Sequence, residues 1–230
     1  DSLDEARAMD AFELMRRLAG VWEKKKYVFG LCVDGKFVRE MAPSAYYNDR
    51  VADIPLIVSV CQGETQSGFI KGSLSYEGYL GKAEKYGDKK EMFLRLAGAS
   101  NDEEADALTA GDSFNTFLGG SRGFCELRSS RGQRVYYCIF DHDIPGDDAG
   151  SFHGSDLWFM FDSLGNSWRP FEGKHYDLAR QVTSYWTNFV KTGDPNGTDY
   201  HGNPLPEWKP YAQGDRAVMR FCDDAVPQNL

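Results

Sequence analysis

Histidine is scarce in this chain, with four residues in 230. Any chemistry that needs an imidazole must use His142, His153, His175 or His201. A basic excess is missing too. The formal net charge is −9, which excludes a nucleic-acid binder, because affinity for a phosphate backbone comes from clustered Lys and Arg. No apolar run reaches the roughly 18 residues needed to cross a bilayer, so no membrane partner is expected. No C-x-x-C pair occurs among the five cysteines, Cys32, Cys61, Cys125, Cys138 and Cys222, which excludes a zinc-ribbon pattern. Cys61 and Cys138 stand in apolar runs and read as buried free thiols, in keeping with a reducing, cytoplasmic setting. Internal repeats and low-complexity segments are absent. Asn196-Gly197-Thr198 matches the acceptor pattern for asparagine glycosylation.

What is present reads as alternating helices and strands. Ser2-Leu3-Asp4-Glu5 has the form of a capping box, and Asp10-Ala11-Phe12-Glu13 gives a second helix start with Asp at the cap. Gly20 is a natural stop for that second helix. Asp34-Gly35 lies between apolar stretches at 29–33 and 36–38, where a hairpin would use a type I′ turn. Two continuous apolar runs, 56–60 and 135–140, predict strands covered on both faces, as in a parallel sheet. Helical patterns at 89–97, 102–110 and 114–127 fill the space between them, supplying the crossover that parallel strands require. That is the α/β signature. A short edge strand is expected at 217–221. The clearest element is a late helix whose apolar stripe runs through Leu178, Val182, Tyr185, Trp186, Phe189 and Val190. Lys191, Gly193 and Pro195 end it.

Few residues can carry chemistry. His201 lies in a Gly/Asn/Pro loop and reads as solvated, and His175 reads as a surface residue at the start of the late helix. His142 follows a buried strand. His153 stands in the stretch Phe152-His153-Gly154-Ser155-Asp156-Leu157, just before the aromatic run Trp158 to Phe161. Glu64 follows the first buried strand by four positions, and in open α/β sheets functional groups gather beyond the carboxyl ends of strands. One literal G-x-S-x-G match exists, Gly119 to Gly123, but no strand precedes Ser121 and the match falls inside a helical pattern. A nucleophile elbow needs a strand before it and a helix after it. Asp141, His142, Asp143, Asp147, Asp148, His153 and Asp156 cluster in sequence densely enough to consider a metal site, although no EF-hand or H-E-x-x-H spacing is present.

Several segments, in order, resemble the type-B carboxylesterases, the family that includes the cholinesterases and para-nitrobenzyl esterases. These are the hairpin-like Val33-Asp34-Gly35-Lys36-Phe37, the strand and acid Leu56 to Glu64, and the strand Val135 to Phe140. The histidine stretch 152–157, Trp168-Arg169-Pro170-Phe171 and the run YWTNFVKTGDPNG from Tyr185 follow. The run YWTNFVKTGDPNG is itself a helix face with its stop signal, hence structural. The resemblance implies an α/β-hydrolase fold, with residues 1–230 as the C-terminal portion of one domain holding its last two central parallel strands and flanking helices.

It also implies a serine acyl-transfer mechanism on a small-molecule carboxylic ester, with no cofactor. His153 would be the general base and Glu64 the acid that orients it. The order Glu64 then His153 fits the Ser, Asp/Glu, His order of α/β-hydrolases. Phe152, Leu157, Trp158 and Phe161 are the candidate walls of the substrate cleft. The serine and oxyanion hole would come from an N-terminal portion of the same protein, leaving this chain alone inactive. Two other readings are a non-catalytic esterase-like interaction module and an acidic metal-binding domain. Labelling by a fluorophosphonate separates the enzyme from the first, and metal analysis tests the second. If the triad reading holds, Glu64 and His153 must meet at one edge of the sheet.

Overall fold

Ser2 accepts the Glu5 N–H while the Glu5 carboxylate accepts the Ser2 N–H, so two donors at the start of helix α1 (Leu3–Ala8) are satisfied reciprocally. In the computed structural model of the chain, which describes residues 2–25, 32–64, 74–110 and 116–230, this is the first of the expected caps. Asp10 supplies the second. Its Oδ1 accepts from Phe12 and Glu13 ahead of α2 (Ala11–Lys25). Gly20 does not stop α2. A mid-helix glycine costs only about 1 kcal/mol, and the helix continues through it.

The Asp34-Gly35 turn forms without its hairpin. The Asp34 carboxylate gathers the N–H groups of Lys36, Phe37 and Val38, and Gly35 takes φ +73°. Asp34 itself has no positive φ, so the turn is not type I′. No strand forms over residues 32–38, and residues 29–31 of the expected first arm lie outside the described residues. Helix α3 (Ala42–Tyr47) carries Pro43 in its first turn, where the missing N–H is not needed. These elements make up one unit, Asp1–Ala52; a second spans Asp53–Leu230.

The second unit is a sheet with helices. Strand β1 (Leu56–Cys61) pairs in parallel with β2 (Val135–Phe140), in the register Leu56 to Val135 through Cys61 to Phe140. Between them come α4 (Tyr76–Glu84), α5 (Lys90–Leu96), α6 (Asp102–Ala110) and α7 (Thr116–Ser130). Helices α4 to α6 bury Tyr79, Ala83, Phe93 and Ala105 in a small core of their own. After β2 come α8 (Leu157–Met160), α9 (Gly173–Thr192), β3 (Ala217–Phe221) and β4 (Ala225–Asn229). The order is β1-β2-β3-β4, with β3 parallel to β2 and β4 antiparallel to β3. The sheet therefore holds three parallel strands rather than two. The run 217–221 is an interior strand, because β4 takes the edge beyond it.

Every residue of β2 is buried, and its alternation sorts the core. Tyr136, Cys138 and Phe140 pack with Leu178, Val182 and Tyr185 of α9. Val135, Tyr137 and Ile139 point to the other face, toward Cys125 and Leu118 of α7. The result is a helix, sheet, helix sandwich. β1 differs from the expectation of full cover. Its first four residues are only half-buried, and among the described residues it pairs with β2 alone. Val190 leaves the apolar stripe of α9 and is 81% exposed. Gly193 ends α9 at φ +75° with its N–H on the Phe189 carbonyl, a left-handed cap that costs about 1–2 kcal/mol for a residue bearing a Cβ. Among the described residues no helix is long and apolar enough to cross a membrane.

Candidate active site

The geometry starts at the carboxyl ends of β1 and β2. Past Cys61 the Gln62 N–H reaches the Phe140 carbonyl at 2.8 Å and the Gly63 N–H reaches the Ser151 carbonyl at 2.9 Å. Gly63 then forms a parallel bridge with Phe152. The loop after β1 thus lies beside the loop after β2. Phe152 opens a turn closed by the Ser155 N–H on its carbonyl at 2.9 Å, with Gly154 at φ +82° in the third position. A glycine suits that position because a left-handed backbone is strained for other residues. His153 rides on the turn.

Glu64 and His153 meet although 89 positions separate them. The Glu64 carboxylate uses both oxygens. Oε1 accepts the Cys61 N–H at 2.9 Å, folding the side chain back over its own strand end, and Oε2 holds His153 Nδ1. An ionised carboxylate only accepts, so in the neutral imidazole Nδ1 carries the proton and Nε2 the lone pair. The Glu64 side chain is 10% exposed and that of His153 is 76% exposed, which leaves a shielded acid behind an open imidazole. Glu64 hydrogen bonding and charge raise the His153 pKa above its ordinary value, and the Asp156 charge adds to this. Among the described residues Nε2 has no hydrogen-bond partner. The half-exposed Phe117 ring of α7 lies 6.5 Å from the imidazole, centroid to centroid. Nothing in the sequence points to Phe117, since only the fold brings α7 to this edge.

The four aromatic and aliphatic residues proposed to border a substrate divide in two. Phe152 and Trp158 are half-buried, contact each other edge to face at 5.8 Å, and share the guanidinium of Arg169, which lies over both rings. Leu157 and Phe161 are exposed, and Leu157 lies next to Gly154. Asp147 pairs with Arg169 through both oxygens, at 2.9 and 3.0 Å.

The other candidates have structural surroundings. Ser121 is inside α7, its hydroxyl donating to the Phe117 carbonyl at 2.6 Å, which is not the sharp strand-to-helix turn of a nucleophile elbow. His175 is buried, not at the surface. Its Nδ1 accepts the Glu172 N–H at 2.8 Å and so closes the cap of α9. His201 is exposed. In the acidic stretch, Asp141 pairs with Arg220, Asp156 accepts from Ser59 and His142 turns into the core. Among the described residues no group of three or more His, Cys, Asp or Glu side chains is placed to hold a metal ion. The thiols of Cys61 and Cys125 are free, buried and pushed by that burial up to about 12, so they are poor nucleophiles.

Known proteins resemble the chain in both sequence and fold. It is 33% identical over 92 residues to an acetylcholinesterase of Gallus gallus, a stretch covering 38% of this chain and 12% of the relative. It is 32% identical over 103 residues to a cocaine esterase of Homo sapiens, covering 42% of this chain and 18% of the relative. A solved PNB esterase superposes with a TM-score of 0.74 at 18% identity, covering 99% of this chain and 47% of that one. A thermophilic PNB esterase gives 0.72 at 19% identity, covering 99% and 48%. The chain thus spans about half the length of these solved esterases. Their likeness shows the fold, the C-terminal part of an α/β-hydrolase sheet with its helices. The model of the carboxylesterase family matches residues 89–229, which include His153, and the chain belongs to that family.

Proposed function

We propose that His153 and Glu64 are the general base and the orienting acid of a serine ester hydrolase acting on small carboxylic esters. The observation that carries this is the contact of the shielded Glu64 carboxylate with His153 Nδ1, with Nε2 left open. The nucleophile serine and the oxyanion-hole amides come from an N-terminal portion of the same protein. Two facts support that division: the chain spans about half the length of the solved esterases, and Ser121 is bonded within its helix.

In this reading Nε2 takes the proton of the serine hydroxyl as the oxygen attacks the ester carbon. The tetrahedral intermediate collapses, Nε2 returns the proton to the departing alcohol, and water repeats the sequence on the acyl-enzyme. Glu64 keeps the tautomer and stabilises the imidazolium in each half. Phe152, Leu157, Trp158 and Phe161 border the ester. Leu157 is the best placed of them, beside Gly154 and exposed.

The test uses the protein that contains both portions. A fluorophosphonate should label a serine outside residues 1–230, and Glu64→Gln or His153→Ala should lower kcat by roughly 10⁴-fold, as loss of an orienting or base group does. This chain alone should hydrolyse p-nitrophenyl acetate at the rate of an inert protein. Turnover by this chain alone that disappears in Ser121→Ala would overturn the reading.

A further inference from the structure

The turn that carries His153 is fastened to β1 at three points with the period of a strand. Ser59, Cys61 and Gly63 alternate along one face of β1 and its extension. The Ser59 hydroxyl donates to Asp156 Oδ2 at 3.2 Å. Cys61 Sγ lies 3.9 Å from Ser155 Oγ, with Ser155 fully buried. Gly63 bridges to Phe152. Only one of these ties, Ser59 to Asp156, involves a charge. Asp156 also sits three positions after His153 and acts electrostatically on His153, Glu64 and Cys61.

We propose that Asp156, held by Ser59, is a positioning residue for His153: it pins the turn bearing the imidazole onto β1 and supplies a second negative charge behind the Glu64–His153 pair. The proposal rests on the reading of His153 as the base. Burial and the Glu64 carboxylate both raise the Asp156 carboxyl above its ordinary range. A carboxylate kept in such a place needs donors, and the Cys61 thiol and the Ser59 hydroxyl serve it from β1. Ser59 is the one hydroxyl of β1, set among Leu56, Ile57, Val58 and Val60. A hydroxyl at that register fixes the depth at which the turn docks, and hence the distance of Nε2 from any nucleophile. An error of about 1 Å in such a placement can cost about 100-fold in rate.

The test compares Asp156→Asn, Ser59→Ala and Glu64→Gln. With only four histidines in the chain, the His153 imidazole can be assigned by NMR from its absence in His153→Gln and titrated in each variant. Asp156→Asn should lower the His153 midpoint, by less than Glu64→Gln does. In the protein with its nucleophile, Asp156→Asn should lower kcat by about 10- to 100-fold with little change in KM, and should move the acid limb of the kcat/KM profile to lower pH. An unmoved midpoint and an unmoved acid limb, in a background where Glu64→Gln shifts both, overturn the proposal and spare the triad. If Glu64→Gln moves neither, the triad reading falls and the proposal with it. Should Asp156→Asn fail to fold, Ser59→Ala decides: a lower kcat at unchanged KM supports the tie, and an unchanged kcat overturns it.

Discussion

His142 is the least accommodated side chain of the sheet's carboxyl edge. Its ring is 3% exposed, and among the described residues neither nitrogen has a hydrogen-bond partner. Phe159 and His175 pack against it at 5.4 and 5.1 Å, centroid to centroid, and Phe140 at 6.3 Å. The charged and titratable groups around it are few. Asp223 stands 3.6 Å from Nδ1, beyond hydrogen-bond reach, Lys174 lies near Asp223, and the Cys222 backbone faces the ring. Burial therefore lowers the His142 pKa below its ordinary 6.5. A base with a depressed folded pKa binds its proton better in the unfolded chain. Its contribution to stability is complete above pH 6.5 and is lost as the pH falls from there toward the folded value. His153 has the opposite sign: its raised pKa stabilises below 6.5 and the gain is lost as pH rises through the folded value. His153 is largely exposed, so the His142 effect dominates on the acid side. Melting temperatures from pH 5 to 8 should fall toward acid in the wild type. The slope should be shallower in His142→Phe, which keeps the aromatic contacts without the titration; equal slopes would remove His142 as the cause. At this scale chain order and resemblance marked His153 and Glu64, and the structure brings the two side chains together. It missed what depends on burial. His175 looks like a surface residue until its capping role is visible, and Asp156 looks like one more carboxylate in an acidic loop until Ser59 is seen to meet it.

Asn196 shows how an element's stop signal works. The sequence Asp194-Pro195-Asn196-Gly197 follows the left-handed cap at Gly193 and turns the chain back toward Trp208. Both amide hydrogens of Asn196 are used, one on Asp194 Oδ1 at 2.8 Å and one on the Trp208 carbonyl at 2.9 Å. Its Oδ1 accepts the Trp208 N–H at 2.7 Å. A glycan bond would replace one of those hydrogens, so the acceptor pattern at Asn196-Gly197-Thr198 is structural in the folded chain. Protein made in a glycosylating host should show unmodified Asn196 by mass spectrometry. Asn196→Ala should lower stability by about 1–3 kcal/mol, the cost of stranding the partly buried Trp208 backbone groups, read as a reduced denaturation midpoint. A glycan at Asn196 on natively folded protein would contradict this. Other elements were legible in proportion to how strongly their pattern outweighed local exceptions. β2 was legible in full, because six buried residues leave no alternative. β4 was not, because Pro227 argues against a strand; it is tolerated on the edge, where an N–H is not required. α4 was hidden by Gly78 and Gly81, although Ser75 caps it at the Gly78 N–H.

At the scale of the whole molecule, β1 decides how the chain behaves. β4 shields one end of the sheet with a short strand that contains a proline. β1 carries no such device in its own sequence. Leu56-Ile57-Val58-Ser59-Val60-Cys61 holds no charge and no proline, and among the described residues it pairs on one side only. An uncharged, β-branched strand with unpaired backbone groups invites another strand. The half-burial of Leu56, Ile57 and Val58 leaves apolar surface beside those groups. The active-site proposal needs a nucleophile brought up to His153, and the loop that follows β1 carries Glu64, to which that proposal gives the orienting role. A parallel strand added beside β1 would therefore bring its own carboxyl end to the same edge as the Glu64–His153 pair, which is where a nucleophile must stand in an open α/β sheet. Under the proposed function the occupant would be the N-terminal portion that carries the serine. Alone, the chain should bind the apolar dye ANS and associate with itself as concentration rises, seen as a concentration-dependent mass in sedimentation equilibrium. Val58→Lys, which places a charge on the strand, should reduce that association. A chain that stays monomeric and dark to ANS over a hundredfold range of concentration would mean that β1 is already covered, and the nucleophile would then have to approach His153 from a direction other than the β1 edge.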